Sequence, residues 1–281
     1  MFNQKYTSTQ TQWCPGCGNF SILAAIVDVM NEMNIPKNEV LFMGGIGQAA
    51  KLNQFIPGNG FSGLHGRILP AALGVHAANP ELKIIINTGD GDSYGEGGNH
   101  LIHTIRRNPD IAHFVHNNQI YGLTTGQPSP TTDVTDGIDG AMNSSIPLSP
   151  LNLALACGAT FVARGFTGDR EQLKEIMKAA IDHKGYALVD ILQPCVTFNK
   201  VNTFKWYKDR VKPVDHSHNV QDKEAAIKLA GTWGEEIPTG ILYQVERPVY
   251  TQRRPLLSRG VIPSREEITS KEIEDRLKLF I

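Results

Sequence analysis

This 281-residue chain has four cysteines, whose thiol groups can bind metals or undergo redox reactions. Two of them form a closely spaced pair. Cys14 and Cys17 lie in "TQWCPGCGNFSIL", just before a long apolar stretch, whereas Cys157 and Cys195 stand alone. Closely spaced thiols without a disulfide framework are more often metal ligands or redox groups. A zinc ribbon would need a second C-x2-C pair, and a thioredoxin-type pair normally follows a strand, which the polar residues 1–12 do not predict. A metal site, thiol chemistry and two unpaired thiols in a turn all stay open.

A carboxylate and an amide follow two consecutive apolar segments further along the chain. Asp90 follows "KIIINTG" and Asn118 follows "IAHFVHN". If both segments are strands of one parallel sheet, their ends lie side by side and offer the hard oxygen ligands that magnesium prefers beside a phosphate. The glycines between 89 and 98 would let the backbone approach a diphosphate, and a helix starting near Gly98 would direct its N-terminus at that anion. The alternative is that both residues simply form strand-end turns.

The elements that must position these groups alternate along the chain up to about residue 195. Short apolar strands such as "VLFMGG", "KIIIN", "IAHFVHNN" and "YALVDILQP" are separated by segments with helical periodicity. This alternation predicts an α/β fold with a mostly parallel sheet and helices on both faces. Three loops rich in glycine or amides, "GGIGQAA", "TGDGDSYGEGG" and "HNNQIYGLTTGQ", should then converge at the carboxyl edge of the sheet.

Composition excludes several classes of partner. The chain has 27 Lys and Arg against 28 Asp and Glu without a long run of either sign, which argues against nucleic acid and anionic membranes as partners. We find no run of about 18 apolar residues that would cross a membrane. The segment "MFNQKYTSTQ" lacks the features of a signal peptide, so we expect a cytoplasmic protein.

The order of the motifs resembles a known family. "GDG" at 89–91 followed by "NN" at 117–118 resembles the thiamine diphosphate-binding motif. Together with "CPGCG", "GIG", "GLHGR", "GGNH", "RRN", "NNQIYGLT", "SPT" and "QPC", it resembles the beta subunit of 2-oxoacid:ferredoxin oxidoreductases, especially the 2-oxoglutarate type. The resemblance implies a thiamine diphosphate-binding domain over residues 1–199 with an N-terminal cluster-binding loop. Residues 200–281 would form a C-terminal extension that packs on a partner subunit.

The resemblance also implies roles for individual residues. The magnesium ligands would be Asp90, Asn118 and the backbone carbonyl of Ile120. His65 in "GLHGR" would act at the reactive end of the cofactor, with a turn-capping role as the alternative, and Lys51 would pair with a substrate carboxylate unless it is a solvated surface lysine. The residues expected to contact thiamine diphosphate are Ile46, Gly47, His65, Gly89, Asp90, Gly91, Asp92, Asn118, Leu123 and Thr124.

For the cysteines, the resemblance implies an iron–sulfur cluster held by Cys14, Cys17 and Cys195. A [4Fe-4S] cluster takes four thiolates, and the family commonly has the fourth in "GIGC", where this chain reads "GIGQ" with Gln48. A four-iron cluster with another ligand, a three-iron cluster, zinc and a vestigial site therefore remain open. Cys157 lies in an apolar helical segment and is expected to pack in the core.

The implied activity needs a second chain. With an alpha subunit, with or without a gamma-type domain, the protein would oxidatively decarboxylate a 2-oxoacid, best matched by 2-oxoglutarate. The products would be acyl-coenzyme A, carbon dioxide and reduced ferredoxin. The glutamate that activates the cofactor would come from the partner, which implies a heterodimer or a dimer of heterodimers.

Two other functional classes stay open. A nicotinamide-dependent enzyme is suggested by "GIGQAA", which matches G-x-G-x-x-A after a strand, although no acidic residue follows between 45 and 80 to hold the ribose. A non-catalytic subunit that retains the fold is the other alternative.

Overall fold

The computed structural model describes residues 5–134, 145–215, 217–267 and 269–280. The strands are β1 (Val40–Gly44), β2 (Asn59–Ser62), β3 (Lys83–Gly89), β4 (Ile111–Asn117), β5 (Ile120–Tyr121), β6 (Gln127–Pro128), β7 (Phe161–Phe166), β8 (Tyr186–Leu192), β9 (Val211–Pro213) and β10 (Ile237–Gln244). The α-helices are α1 (Asn19–Glu32), α2 (Ile68–Ala78), α3 (Gly98–Arg107), α4 (Pro150–Ala156), α5 (Arg170–Asp182), α6 (Phe204–Lys208), α7 (Lys223–Gly231) and α8 (Ser270–Leu277).

Within these described residues, eight strands form one sheet in the order β2-β1-β3-β4-β8-β7-β10-β9. All neighbouring strands pair in parallel except β7 and β10, which are antiparallel. The strands β1, β3 and β4 are adjacent, so the three predicted ligand loops leave the sheet side by side. The predicted parallel sheet is confirmed.

Helices cover both faces of the sheet. Alternate strand residues point to opposite faces, and both faces carry apolar side chains that the helices bury. Ile85 joins the core beneath α1 and α5, whereas its neighbours Ile84 and Ile86 join the core beneath α2, α3, α4 and α7. Full burial of one such aliphatic side chain contributes about 1.5–3 kcal/mol. Two apolar layers thus fix the strands whose ends carry the polar loops.

The connection from β3 to α3 is tighter than a simple loop. Residues Gly91–Glu96 form a π-helical turn that starts directly after Asp90, and α3 begins at Gly98 as predicted. Such π turns are rare and frequently occur at functional sites. The turn brings Asp90 and Asp92 to the carboxyl edge of β3.

The C-terminal residues return to the sheet. In the predicted extension, β10 pairs antiparallel with β7 and parallel with β9. The following segment passes through short 3-10 turns to α8, which has no buried residues. Packing of this extension on a partner stays a prediction. Among the helices in the described part of the chain, none is long and apolar enough to cross a membrane.

Candidate active site

A cavity of about 90 Å³ lies at the carboxyl ends of β1, β3 and β4. All the residues predicted to contact the cofactor line it, together with Ile120 and four residues without a predicted contact: Gln48, Ala49, Tyr121 and Gly122. The cavity is much smaller than the roughly 300–1,000 Å³ of typical ligand pockets. The cavity of this chain alone is therefore too small to enclose a large cofactor.

Asp90 is held in the floor of this cavity by two hydroxyl groups. Its side chain is buried, and its Oδ2 accepts hydrogen bonds from Ser129 Oγ at 2.5 Å and Thr131 Oγ1 at 2.7 Å. Burial raises the pKa of the Asp90 carboxyl to about 6, against the lowering effect of both hydroxyls. A buried carboxylate of this kind favours a nearby cation.

Asn118 lies in the next loop, on a turn of fixed shape. Its Oδ1 accepts the backbone N–H of Ile120 at 3.1 Å, and Gln119 between them adopts a left-handed φ of 58°. The buried Gln119 side chain donates to the backbone oxygen of Thr131 at 2.7 Å, which ties this turn to the segment that holds Asp90. The structure thus brings Asp90, Asn118 and Ile120 to one cavity, as predicted.

Asp92 joins its own loop to the segments that follow β1 and β2. Its Oδ1 accepts the backbone N–H groups of Gly66 at 2.7 Å and Ile46 at 3.2 Å, while its buried Oδ2 has no hydrogen-bond partner. A side chain on Gly45 would collide with this carboxylate. Gly45 is therefore required for the loops to meet.

The backbone of the cavity leaves room for a ligand at two glycines. A Cβ atom built on Gly47 or Gly89 would meet no atom within 4 Å. Gly47 also has a φ of +126°, a region that other residues rarely adopt. These glycines allow close approach of an anionic group.

His65 lies at the mouth of the cavity, where it is about one-third exposed. Its Nδ1 is 3.2 Å from Glu96 Oε2 and 3.7 Å from Asp92 Oδ1. Glu96, which also accepts the Tyr121 hydroxyl, had no predicted role. A catalytic role of His65 remains a prediction. Lys51 lies in the adjacent 3-10 turn but is not among the residues that line the cavity.

Cys14 and Cys195 both lie near Cys17. The loop of Cys14 and Cys17 lies against the segment after Cys195, since a Cβ on Gly16 would be 3.9 Å from Val196 Cγ1. Burial raises the pKa of the Cys17 thiol to about 11, and the nearby Cys195 and Cys14 add to this effect.

Three N–H groups point at these sulfur atoms. Gln193 Nε2 donates to Cys17 Sγ at 3.3 Å, the backbone N–H of Asn19 donates to the same sulfur, and the backbone N–H of Phe198 donates to Cys195 Sγ at 3.4 Å. In the part of the chain that is described, no group of three His, Cys, Asp or Glu side chains is arranged to hold a metal ion. Cys157 packs against the core beneath α4 and α7, on the other face of the sheet from Cys17.

Gln48 connects the cysteine loop with the cavity. Its backbone oxygen accepts the indole N–H of Trp13, next to Cys14, at 2.9 Å, and its side chain lines the cavity. Its buried Oε1 has no hydrogen-bond partner. Gln48 is therefore one of the residues that link the two predicted sites.

Large apolar side chains surround this edge of the sheet. Leu64 is 67% exposed, Leu123 is 44% exposed, and Ile46 and Phe198 are each nearly 40% exposed. Exposed apolar residues that cluster around a cavity often mark a surface that binds another molecule.

Comparison with known proteins gives the family. Residues 43–191 match the model of the thiamine pyrophosphate enzyme C-terminal domain, which binds thiamine pyrophosphate (thiamine diphosphate). Residues 195–259 match the C-terminal segment of the pyruvate ferredoxin oxidoreductase beta subunit.

Individual relatives agree with these matches. The chain is 43% identical to subunit beta of 2-oxoacid:ferredoxin oxidoreductase 1 from Aeropyrum pernix over 84% of this chain and 79% of that protein. It is 42% identical to the 2-oxoglutarate oxidoreductase subunit KorB from Mycobacterium tuberculosis over 69% of this chain and 53% of the relative.

A solved structure shares the fold. This is the 2-oxoglutarate:ferredoxin oxidoreductase from Magnetococcus marinus with 2-oxoglutarate, coenzyme A and succinyl-CoA bound. It superimposes with a TM-score of 0.88 at 34% identity, covering 97% of this chain and 94% of that chain. The chain belongs to the beta subunits of the 2-oxoacid:ferredoxin oxidoreductases and carries the thiamine diphosphate-binding domain of that family.

Proposed function

We propose that this chain and an alpha subunit together convert a 2-oxoacid, most closely 2-oxoglutarate, and coenzyme A into acyl-coenzyme A and carbon dioxide, with reduction of ferredoxin. The observation that carries the proposal is the position of Gln48, which lines the cavity and accepts the indole N–H of Trp13, the residue before Cys14. The names of the relatives support 2-oxoglutarate as the substrate, and the solved relative holds 2-oxoglutarate, coenzyme A and succinyl-CoA.

The residues of the cavity fit thiamine diphosphate and magnesium. Asp90, Asn118 and the carbonyl of Ile120 would hold the ion, and the open backbone at Gly47 and Gly89 would admit the diphosphate. When bound, the cofactor supplies the carbanion that adds to the keto carbon of the substrate. Ser129 and Thr131 fix the orientation of the Asp90 carboxylate before the ion arrives.

We expect Thr131→Val to weaken magnesium binding about 10- to 100-fold, the usual effect of losing a hydrogen bond to a metal ligand. Valine keeps the shape of threonine but removes the hydroxyl that donates to Asp90 Oδ2. Calorimetric titration of magnesium into the alpha–beta complex with thiamine diphosphate measures the change. Thr131→Ser, which keeps the hydroxyl, should bind like the unmodified protein, and equal weakening by both variants would contradict this role.

An iron–sulfur cluster at Cys14, Cys17 and Cys195 is the second part of the proposal. The three thiols are close enough to affect one another, and three N–H groups are already directed at their sulfur atoms. Such a cluster would supply transfer of single electrons to ferredoxin. The chain offers no fourth thiol at Gln48, so the fourth iron would need another ligand or be absent.

Gln48→Cys tests the fourth position directly. A thiolate is a far better iron ligand than an amide, so this variant should raise the iron content toward about four per chain and slow cluster loss in air. Iron and sulfide analysis with the decay of the visible absorption after exposure to oxygen gives both numbers. Unchanged iron content and decay would place Gln48 away from the cluster.

The alpha subunit completes the site in this proposal. The small cavity and the exposed Ile46, Leu64 and Leu123 leave a wall that a second chain would supply, including the activating glutamate. We propose a heterodimer or a dimer of heterodimers in which residues 200–281 contribute to the contact, with or without a gamma-type domain. A cytoplasmic location remains a prediction from the sequence, as do the roles of His65 and Lys51.

The proposal is tested with the complex of both subunits purified without oxygen. We expect reduction of methyl viologen that depends on 2-oxoglutarate and coenzyme A, together with thiamine diphosphate, magnesium and iron in the complex. Pyruvate serves as the comparison substrate. A folded complex without bound cofactor and without turnover would instead support a non-catalytic subunit.

A further inference from the structure

Gln193 is a buried glutamine between the two halves of the site. It follows β8 directly and is 1% exposed. Its backbone N–H donates to the oxygen of Asn117 at 2.9 Å, which continues the β4–β8 pairing toward Asn118. Two residues later the chain reaches Cys195. Gln193 is therefore anchored by the sheet and not by a loop.

The side chain of Gln193 is oriented by two acceptors. Nε2 donates to Cys17 Sγ at 3.3 Å and to the backbone oxygen of Pro194 at 3.2 Å. A flipped amide would place Oε1 against both acceptors, so this orientation follows from the hydrogen bonds. In it, Oε1 is buried without a partner. Leaving that acceptor unpaired is unfavourable, which indicates that the amide is held there for its donor.

Gly18 makes this approach possible. A Cβ on Gly18 would be 2.8 Å from Gln193 Cγ and 3.3 Å from its Nε2, so any side chain there would displace the amide. Gly18 has an ordinary helical conformation and is not selected by its φ. Space for Gln193 is the reason that the structure gives for the glycine after Cys17.

A hydrogen bond to a cysteine sulfur is strongest when the sulfur carries negative charge. The Cys17 sulfur receives the side-chain N–H of Gln193 and also the backbone N–H of Asn19, which variants at position 193 retain. Hydrogen bonds to the sulfur atoms are among the factors that set the reduction potential of iron–sulfur clusters, because reduction adds negative charge that the donors stabilise.

We propose that Gln193 is a positioning residue that raises the reduction potential of a cluster held at Cys17 through its Nε2–H···Sγ hydrogen bond. This inference depends on the proposed cluster. Gln193 touches neither substrate nor thiamine diphosphate in this account and acts only through the Cys17 sulfur.

The test compares Gln193→Leu and Gln193→Met with the unmodified protein, each in complex with the alpha subunit. Both variants remove the donor without adding a charge, and methionine keeps nearly the length of the glutamine side chain. At the midpoint potential of the unmodified cluster, we expect the ratio of reduced to oxidised cluster to fall about tenfold, equivalent to a 59 mV lower midpoint for one electron. A titration with dithionite followed by electron paramagnetic resonance measures this ratio.

Ser21→Ala is the matched control. Ser21 lies in α1, four positions after Cys17, and donates to the backbone oxygen of Thr167 at 2.7 Å without touching a sulfur. Its midpoint should equal that of the unmodified protein, and bound thiamine diphosphate and magnesium should be unchanged in all variants that fold.

The outcomes distinguish a failure of the proposed cluster from a failure of the proposed role of Gln193. If the unmodified complex assembles no cluster, both the cluster and the role of Gln193 are rejected. If it assembles one whose midpoint is the same with Gln193→Leu and Gln193→Met, only the role of Gln193 is rejected. If Gln193→Leu does not fold, the midpoint of Gln193→Met decides.

Discussion

Asp90→Asn should abolish cofactor-dependent turnover while the chain stays folded. Asparagine has nearly the shape of aspartate, and its oxygen can accept the same hydrogen bonds from Ser129 and Thr131. These two donors then hold the amide oxygen in the position of Oδ2, so the amide NH2 group takes the place of the other carboxylate oxygen. A neutral amide nitrogen cannot bind magnesium, and the only carboxylate among the proposed ligands is lost.

The expected loss of magnesium affinity exceeds about 100-fold, because even changes behind a metal ligand cost 10- to 100-fold. The measurements are calorimetric binding of magnesium with thiamine diphosphate, and thermal unfolding without either ligand. Asp28→Asn is a matched control, since Asp28 lies on α1 and pairs with Arg170 outside the cavity. Unimpaired magnesium binding by Asp90→Asn would reject the assignment of the metal site.

Cys195→Ser should remove the iron from the complex. Serine preserves the size of the side chain but offers a hydroxyl, which is a poor ligand for iron compared with a thiolate. Only Cys14 and Cys17 of the proposed ligands would remain, so we expect iron content to fall by more than about tenfold and turnover with ferredoxin to fall with it.

Cys157→Ser separates this effect from the general loss of a thiol. Cys157 packs against the core of the opposite face and touches none of the proposed ligands. Its replacement should leave iron content unchanged, with at most a modest loss of stability from the buried hydroxyl. Equal iron in Cys195→Ser and the unmodified protein would exclude Cys195 as a ligand.

The sequence predicted the sheet and the cavity because both depend on local patterns. Apolar runs followed by glycine and polar residues mark buried strands with ligand loops, and adjacent parallel strands bring Asp90 and Asn118 together without further information. The match to the thiamine family also favours the thiamine interpretation of "GIGQAA" over the nicotinamide alternative.

The residues that support these ligands had no comparable signal. Thr131 lies 41 positions after Asp90, and Gln193 lies 176 positions after Cys17, so neither contact follows from spacing. The motifs "SPT" and "QPC" were part of the family resemblance, but nothing in their composition indicates that Ser129, Thr131 and Gln193 act as hydrogen-bond donors. Only the fold brings donor and acceptor together.

Five strands within the described ranges were not predicted, β2, β5, β6, β9 and β10, and two of them, β2 and β10, were missed for opposite reasons. β2 is exposed along its whole length and shows no apolar alternation. β10 is largely buried but contains Pro238 and Gly240, which argue against a strand in the interior of a sheet. Its first residues pair with β9 alone, and its register with β7 shifts between Ile241 and Tyr243. Pro238 thus lies where β10 pairs with β9 alone, whereas Gly240 pairs with Arg164 of β7 and has a φ of +131°.

The most direct test of the account is an electron paramagnetic resonance spectrum of the oxygen-free alpha–beta complex before and after addition of 2-oxoglutarate and coenzyme A. We predict a reduced-cluster signal that appears only with substrate and is absent in Asp90→Asn. An unchanged spectrum from a complex that contains thiamine diphosphate, magnesium and iron would contradict the account, as would the same signal in Asp90→Asn.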